Sequence, residues 1–285
     1  MTSVFDALLE TMVPMDDERP NAKILIYGDS GVGKTVLAAS AGNKILWIDS
    51  TDGWVSLMNH PELRAKCQRM QYQGLSQIDA LCDAIDANRE PFVSFDTIVV
   101  DELSSIAVMD LDKVLESRSK KQADKDPNVP TQPDFFANTE RMRRAVTRLI
   151  QLPMNIILVS HVREDRDDRT GKTYIRPSFT PKLRTTIKQM CHIVGHLTIM
   201  EVVNKESDSV DYLRKMQVQP SLTIDAKTRI GNLEPIIENP DLGKIITTWQ
   251  ESGGSEVEIE ELLFDEVSTI NTDIPTVDVP SGLEI

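Results

Sequence analysis

The stretch from Lys23 to Gly42 constrains this chain more than any other part of its sequence. It reads KILIYGDSGVGKTVLAASAG, so an apolar run typical of a β-strand enters a glycine-rich loop. An alanine- and leucine-rich run typical of a helix then leaves the loop. Residues 28–35 fit the pattern G-x-x-x-x-G-K-[ST]. A strand before this pattern and a helix after it make an accidental match rare. The stretch therefore predicts a phosphate-binding loop (P-loop) near the start of an α/β domain.

The residue types in this loop suit one kind of ligand. Gly28, Gly31 and Gly33 let the backbone curl so that its N–H groups face a phosphate chain. Lys34 offers a positive charge to the outer phosphates, and Thr35 offers a hydroxyl to Mg²⁺. The N-terminus of the following helix adds its dipole to the same anion site. We therefore expect ATP and Mg²⁺ as cofactors, with the nucleotide bound by Gly28, Asp29, Ser30, Gly31, Val32, Gly33, Lys34 and Thr35.

Strand and helix patterns alternate along the rest of the chain. The sequence predicts buried strands at 44–49, 97–102 and 155–160, a short helix and an edge strand within 61–73, and helices at 75–88, 103–117, 134–151 and 180–190. Asp134 is the expected cap of the third of these longer helices. This alternation predicts an α/β fold with a mainly parallel central sheet flanked by helices. Runs at 193–203, 210–219 and 221–225 are expected to extend the sheet with C-terminal antiparallel strands.

Composition divides the chain into three predicted parts: an N-terminal arm at 1–20, a nucleotide-binding domain at 21–249 and an acidic tail at 250–285. The tail has the composition of a disordered segment. The formal net charge is −14, but residues 251–285 hold ten of the 45 acidic residues and none of the 31 basic ones. Because the rest of the chain is close to neutral, the acidic total does not exclude a nucleic-acid partner.

Cysteine usage and hydropathy bear on the compartment. The three cysteines show no C-x-x-C spacing, which suits reduced thiols in a cytosol. The N-terminus lacks the features of a signal peptide. No run reaches the roughly 18 apolar residues that a membrane span needs. We therefore expect a soluble cytoplasmic protein with no membrane partner.

Four polar residues beyond the P-loop are candidates for the chemistry. Asp101 ends an Ile-Val-Val strand, where a P-loop enzyme places the acid that holds Mg²⁺. ATP hydrolysis also needs a group that orients or deprotonates the attacking water, and both Glu102 and Asp52 fit that role. His161 follows the predicted fourth strand, where it could sense the terminal phosphate.

Two segments are rich in basic residues and could contact nucleic acid. Loop 118–133 and loop 163–178 are both charged, and both are predicted to be exposed. Tyr174 and Phe179 could stack on bases beside the second loop. The alternative interpretation is that both segments are solvated charged loops without a partner.

Five motifs resemble the RecA-type recombinase core, and more narrowly the small phage-encoded RecA-like ATPases linked to single-strand annealing and recombination. They are GDSGVGKT at 28–35, ILWIDSTDG at 45–53, TIVVDEL at 97–103, IILVSHV at 156–162 and AKTRI at 226–230. The resemblance covers roughly residues 23–232. It implies a RecA-like P-loop NTPase fold in which the strand before His161 lies between the P-loop strand and the Asp101 strand.

The resemblance also implies roles for individual residues. His161 stands where the family has its phosphate-sensing residue, usually Gln. The family's catalytic Glu follows the second strand, where this chain has Thr51 or Asp52, so Glu102 and Asp52 both remain candidates. Lys227 and Arg229 resemble cations that reach into a neighbour's ATP site, which implies a homo-oligomer, either a ring or a filament.

The partners implied by the resemblance are single-stranded DNA and other proteins of DNA metabolism. The family's two DNA-binding loops match loops 118–133 and 163–178. The acidic tail resembles the tails of single-strand-binding proteins, which implies that such a protein is a further partner. A phage-encoded chain would act in the host cytoplasm.

The leading hypothesis is thus an ATPase that binds single-stranded DNA, is stimulated by it, and promotes annealing or strand pairing. One alternative is an AAA-type helicase loader or remodelling ATPase, although that class needs a helical lid where residues 193–230 predict strands. Another is a nucleotide-dependent switch with little turnover. A small-molecule kinase is a third, but it would need an Arg-rich lid that the sequence lacks.

Overall fold

A ten-stranded sheet forms the centre of the domain in a computed structural model that describes residues 20–121, 126, 128–204, 209–231 and 233–252. The strands are β1 Lys23–Gly28, β2 Ile45–Asp49, β3 Cys67–Gln71, β4 Thr97–Asp101, β5 Asn155–Arg166, β6 Thr173–Pro177, β7 Ile193–Asn204, β8 Ser209–Gln217, β9 Lys227–Thr228 and β10 Ile236–Glu238. The α-helices are α1 Lys34–Ala39, α2 Pro61–Arg64, α3 Leu75–Asp86, α4 Leu103–Ser119, α5 Gln132–Gln151, α6 Pro181–Met190 and α7 Leu242–Ser252. Short 3-10 helices cover Gly53–Asn59 and Phe92–Ser94.

The strand order is β10-β8-β7-β1-β5-β4-β2-β3, with β6 added to β5 and β9 to β7. The six strands from β7 to β3 in this order run parallel. Strands β8, β9 and β10 are antiparallel to their neighbours. The predicted fold class is therefore confirmed. Strand β5 lies between β1 and β4, as the resemblance implied.

The register of the parallel strands brings polar side chains to one edge of the sheet. Gly28 of β1 is opposite His161 of β5, and Asp49 of β2 is opposite Asp101 of β4. Since these strands run in the same direction, the loops that follow them meet at their carboxyl ends. Ligands of open α/β sheets bind at that edge.

The two faces of the sheet are buried by different helices. Every residue of β1, β2 and β4 is buried. Leu25 and Tyr27 of β1 belong to the apolar cluster that includes residues of α3, α4, α5 and α6. Ile24 and Ile26 belong to the cluster that includes residues of α1 and α7. Burial on both faces explains why the sequence of these strands is continuously apolar.

Helix α5 starts earlier than the sequence predicted, and its cap is a different residue. Thr131 is the N-cap, and Asp134 is the third helical residue. Asp134 Oδ2 accepts a hydrogen bond from the Thr131 backbone N–H at 2.7 Å, which completes a capping box. The prediction that Asp134 itself caps the helix was therefore wrong by one turn.

The predicted loop 163–178 is mostly a β-hairpin. Strand β5 continues to Arg166, and β6 pairs with it from Thr173 to Pro177. The chain turns at 167–171, where Gly171 has a φ of 66°. The strand was missed because its side chains are charged and most of them are exposed, so the apolar alternation that predicts a strand is absent.

The two aromatic residues beside this hairpin are less available than predicted. Phe179 is 4% exposed and packs in the core, so the prediction that it stacks on bases was wrong. Tyr174 is half-buried, and the Arg176 guanidinium lies 4.5 Å from the centre of its ring. A single-sequence pattern does not show which aromatic side chain turns inward.

The C-terminal part of the domain differs from the prediction in two places. Residues 221–225 do not form a strand and contribute only an isolated bridge between Ile224 and Ile175. Helix α7 was not predicted, and it runs to Ser252, past the expected boundary at 249.

Several predictions fall outside the residues that the structure describes. These are the arm, except for its last residue, the tail from 253 onward, and positions 122–125 and 127 of loop 118–133. All described residues belong to the unit of the chain that ends at Gly254. No helix among them is long and apolar enough to cross a membrane.

An ion pair whose carboxylate is buried joins α4 to α5. The Asp110 side chain is fully buried, and the Arg141 guanidinium donates to it through Nε at 3.0 Å and Nη2 at 2.7 Å. The Asn138 amide donates to Asp110 Oδ2 at 3.2 Å. We expect Arg141→Ala to lower the free energy of unfolding by about 2 kcal/mol, because it leaves a buried carboxylate without its charged partner.

Urea denaturation measures this difference. Arg143→Ala is the matched control, because Arg143 lies on the same helix and pairs with Glu140, which is partly exposed and not fully buried like Asp110. The control is expected to change stability little. Equal effects of the two substitutions would contradict the role given to the buried pair.

Candidate nucleotide-binding site

The P-loop adopts the curled backbone that its glycines predict. Gly31 has a φ of 83° and Gly33 a φ of 97°, in the region that favours glycine. Gly28 has a different reason to be glycine. A Cβ at position 28 would lie 2.3 Å from the carbonyl oxygen of Leu197, on the neighbouring strand β7. Gly28 therefore permits close packing against β7 and does not contribute to the curl.

Lys34 is held inside this loop. Its Nζ donates to the carbonyl oxygens of Gly28 at 3.0 Å and Asp29 at 2.9 Å, and the residue is buried. Burial lowers the pKa of the Lys34 ammonium, although the nearby Glu102 and Asp101 carboxylates oppose the shift. An anionic ligand at this position would stabilise the charged form.

One cavity of about 400 Å³ collects most of the predicted site. Its walls come from the P-loop, from the turn after β2, and from the carboxyl ends of β4 and β5. The lining residues are Ser30, Gly31, Gly33, Lys34, Thr35, Val36, Thr51, Gly53, Ser56, Asp101, Glu102, His161 and Arg214. Asp52, Lys227 and Arg229 do not line it.

Thr35 and Asp101 provide oxygen atoms suited to Mg²⁺. The Thr35 hydroxyl donates to Asp101 Oδ2 at 3.3 Å. Burial, followed by the neighbouring Glu102 charge, raises the pKa of Asp101 to about 7. A cation would relieve this crowding of negative charge, and Mg²⁺ is usually held by one or two carboxylates together with phosphate oxygens and water. The residues present therefore fit the ion, although the described part of the chain contains no cluster of three or more His, Cys, Asp or Glu that could hold a metal alone.

Gly53 leaves the space beside these two groups open. A Cβ at this position would lie 2.6 Å from Asp101 Oδ2 and 3.6 Å from Thr35 Oγ1. Gly53 is the last residue of the motif ILWIDSTDG, and the sequence alone gives it no role. Only the fold shows that its Cα faces the candidate metal site.

Glu102 and His161 form a pair at the far wall of the cavity. His161 Nε2 lies 2.6 Å from Glu102 Oε2, and the Ser104 hydroxyl donates to the same oxygen at 3.3 Å. Burial raises the pKa of Glu102 and lowers that of His161. The lowered pKa of His161 favours a neutral imidazole, which can donate its Nε2 proton to Glu102 Oε2.

The second carboxylate oxygen of Glu102 differs from the first in having no partner. Glu102 Oε1 is buried and has no hydrogen-bond partner among the described residues. The Glu102 backbone also has a φ of 74°, which is uncommon for a residue other than glycine. A buried carboxylate oxygen without a partner is costly unless a ligand or water meets it.

Asp52 lies outside the cavity. Its side chain is 70% exposed and pairs with the Arg69 guanidinium, whose Nε donates to Asp49 Oδ2 at 2.6 Å. Of the two candidate bases, the structure thus brings Glu102 and not Asp52 to the cavity. The catalytic role itself stays a prediction.

Comparison with protein families identifies the family of this domain. The AAA domain family matches residues 20–230, from just before β1 to just past β9. The chain belongs to the AAA domain family. A comparison with curated proteins returned no match. The family is one of P-loop ATPases, so nucleotide binding and hydrolysis are its general activity. The narrower resemblance to phage recombination ATPases stays a prediction.

Lys227 and Arg229 lie elsewhere in this AAA domain, at the C-terminus of α6. Lys227 Nζ donates to the carbonyl oxygens of Lys188, Gln189 and Cys191, at 2.8, 3.1 and 2.7 Å. Arg229 Nη2 donates to the Gln189 carbonyl oxygen at 3.0 Å. Cations at this position satisfy the last carbonyl groups of a helix. Their contact with a neighbouring subunit stays a prediction.

Arg214 is a cavity residue of the AAA domain that sequence reasoning missed. It lies on β8, and its Nε donates to the carbonyl oxygen of Val32 in the P-loop at 3.2 Å. The surrounding sequence, DYLRKMQ, matches no motif and reads only as an amphipathic strand. No signal in the sequence could have assigned it to the nucleotide site.

We expect Gly53→Ala to weaken binding of Mg·ATP to this AAA domain by about tenfold or more, because the added methyl group crowds Asp101 and Thr35. Isothermal titration calorimetry with Mg·ATP measures the change. Affinity for ATP in EDTA should fall much less. Gly231→Ala is the control, since a Cβ there meets nothing within 4 Å. Equal losses with and without Mg²⁺ would contradict the assignment of the metal site.

Proposed function

We propose that this chain is a Mg²⁺-dependent ATPase that acts as a homo-oligomer on single-stranded DNA, in annealing or strand pairing. The observation that carries the ATPase part is the partnerless Oε1 of Glu102 in a cavity that also holds Lys34, Thr35 and Asp101. A triphosphate in this cavity would bring its terminal phosphate near Glu102, whose Oε1 has no hydrogen-bond partner among the described residues.

Each side chain then has a distinct task in hydrolysis. The P-loop amides and Lys34 bind the phosphates, and Thr35 and Asp101 hold Mg²⁺. The ion supplies positive charge that neutralises the phosphate oxygens. Glu102 orients the attacking water through Oε1 and accepts its proton. Burial helps this task, because a raised pKa brings the carboxylate closer to the working pH of a general base. His161 keeps Glu102 in position through Oε2.

The DNA part of the proposal is supported by the hairpin of β5 and β6. Arg166, Arg169 and Lys172 are exposed near its tip, and none of them has a side-chain ion pair among the described residues. By contrast, Asp167 accepts hydrogen bonds from the turn backbone and from Thr170. A cluster of unpaired cations suits phosphate contacts, which bind without regard to sequence.

The hairpin is also continuous with the hydrolytic residues. His161 lies on β5, five residues before Arg166, and strand β5 has no break between them. A change in the position of His161 when the terminal phosphate is lost would therefore be transmitted along one strand. This continuity is the reason to expect that DNA stimulates turnover.

Two alternatives are less well supported. A helicase loader would need a helical lid, whereas β7 and β8 occupy much of the region 193–230. A switch with little turnover would have no use for a buried base with a free oxygen. The AAA domain family by itself leaves both open.

Oligomer formation rests mainly on Arg229. Lys227 would have to leave three carbonyl groups to reach a neighbour, whereas exposed Arg229 would leave one. We therefore expect Arg229 to make the subunit contact and Lys227 to hold α6 in place.

The proposed role of the acidic tail is to recruit a single-strand-binding protein.

Steady-state ATPase assays with nucleotide titrations test the hydrolytic part. We expect Lys34→Ala to lose Mg·ATP binding. Glu102→Gln should keep binding and lose turnover by roughly 10²- to 10⁴-fold, the usual contribution of a general base. Asp52→Asn is the matched control and should stay within a few-fold of the unsubstituted protein. A large loss in Asp52→Asn, with little change in Glu102→Gln, would reverse the assignment.

Fluorescence anisotropy with labelled single-stranded DNA tests the hairpin. We expect replacement of Arg166, Arg169 and Lys172 by Ala to weaken DNA binding strongly at low salt and to flatten its salt dependence. The control replaces Lys44, Lys66 and Lys244 by Ala. These lysines lie near the amino ends of the parallel strands, away from the hairpin, and two of them, Lys66 and Lys244, line the same cavity there. If both triple variants bind DNA alike, or if DNA leaves the ATPase rate unchanged, the DNA part of the proposal is wrong.

A further inference from the structure

Arg214 stands where two cavities meet. It lines the 400 Å³ cavity that contains Lys34 and Glu102. It also lines a second cavity of about 260 Å³, bounded by α1, the region after β10 and residues around α2. The P-loop residue Gly33 and Val36 of α1 border both cavities. A ligand that extends from the P-loop along α1 must therefore pass the guanidinium.

The backbone of Arg214 is fixed. The Asn239 N–H donates to the Arg214 carbonyl oxygen at 2.7 Å, and the Arg214 N–H donates to Asn239 Oδ1 at 3.3 Å. Asn239 itself has a φ of 43°. This reciprocal pair ties the backbone of β8 at Arg214 to the residue that follows β10.

The guanidinium is only partly used. Its Nε donates to the Val32 carbonyl oxygen and lies close to Gly33, where an added Cβ would be 2.7 Å from it. Its two terminal nitrogens have no hydrogen-bond or ion-pair partner among the described residues. An arginine fork with one nitrogen anchored on the P-loop and two nitrogens open suits phosphate oxygens.

We infer that Arg214 is a second phosphate-binding cation, which β8 of the same chain supplies to the nucleotide on the P-loop. The assignment rests on the nucleotide-binding function proposed above and adds a phosphate-binding residue to it. Lys34 then has a partner cation on the other side of the loop backbone.

The cavities also indicate which phosphates Arg214 contacts. Asp101, Glu102 and His161 line only the first cavity, at the end where hydrolysis would occur. Arg214 shares Gly33 and Val36 with the second cavity, which contains none of those three residues. It therefore contacts the inner phosphates, which ATP and ADP have in common, and it governs affinity more than turnover.

Calorimetric titration of the full chain with Mg·ATP and with Mg·ADP tests this. We expect Arg214→Ala to weaken binding of both nucleotides by a similar factor, about tenfold or more, as for the loss of a charge-assisted hydrogen bond. The kcat at saturating ATP should change little. Lys215→Ala is the matched control, because it removes the next cation of β8, which pairs with Glu238.

Two further variants separate a phosphate contact from support of the P-loop. Arg214→Lys keeps the charge, whereas Arg214→Gln keeps only a neutral donor for Val32. Recovery of affinity by Lys and not by Gln supports the inference. Recovery by Gln, unchanged affinity in Arg214→Ala, or a loss confined to ATP overturns it. If the unsubstituted chain binds neither nucleotide, the proposed function fails together with the inference. If Lys34→Ala abolishes binding and Arg214→Ala leaves the affinity unchanged, only the inference fails.

Discussion

Three charged side chains buried at one edge of a parallel sheet are the constraint on which the site depends. Lys34, Asp101 and Glu102 are each less than 10% exposed, and burial shifts the pKa of each toward its neutral form. Taking such groups out of water is costly unless opposite charges and hydrogen bonds compensate. Within the described chain they compensate one another only in part, because two acids face one ammonium. A triphosphate with Mg²⁺ would give these groups oppositely charged partners, since phosphate meets Lys34 and the metal meets Asp101.

The sheet is what makes this arrangement achievable. Parallel strands that are apolar over their whole length fill both faces, and polar side chains gather only where the strands end. The register between β1 and β5 places the P-loop beside His161, and the register between β2 and β4 places the turn containing Gly53 beside Asp101. The antiparallel strand β8 then brings Arg214 across to the P-loop from the other side.

Much of this was predictable from sequence, and the exceptions have physical reasons. The P-loop, the buried strands and the place of Asp101 at the end of one of them follow from strong local patterns, and the structure has all three. The β5–β6 hairpin was taken for a loop, because most of its charged side chains are exposed and show no apolar alternation. The capping role of Thr131 was missed because Asp134 is an equally good cap by residue type. Arg214 and Gly53 could not have been found, because their importance comes from contacts with residues distant along the chain.

The central claim is that Mg·ATP supplies the partners that the buried charges of the site lack. The number of protons released or taken up on binding tests this claim most directly. Calorimetric titration of the unsubstituted chain with preformed Mg·ATP at pH 7, in two buffers that differ in ionisation enthalpy, measures protons released or taken up. Because the pKa of Asp101 is raised to about 7, a metal at this carboxylate should displace a fraction of a proton, and the observed heat should differ between the buffers. Asp101→Asn should abolish that difference. Binding with no proton release, or no binding at all, would contradict the account.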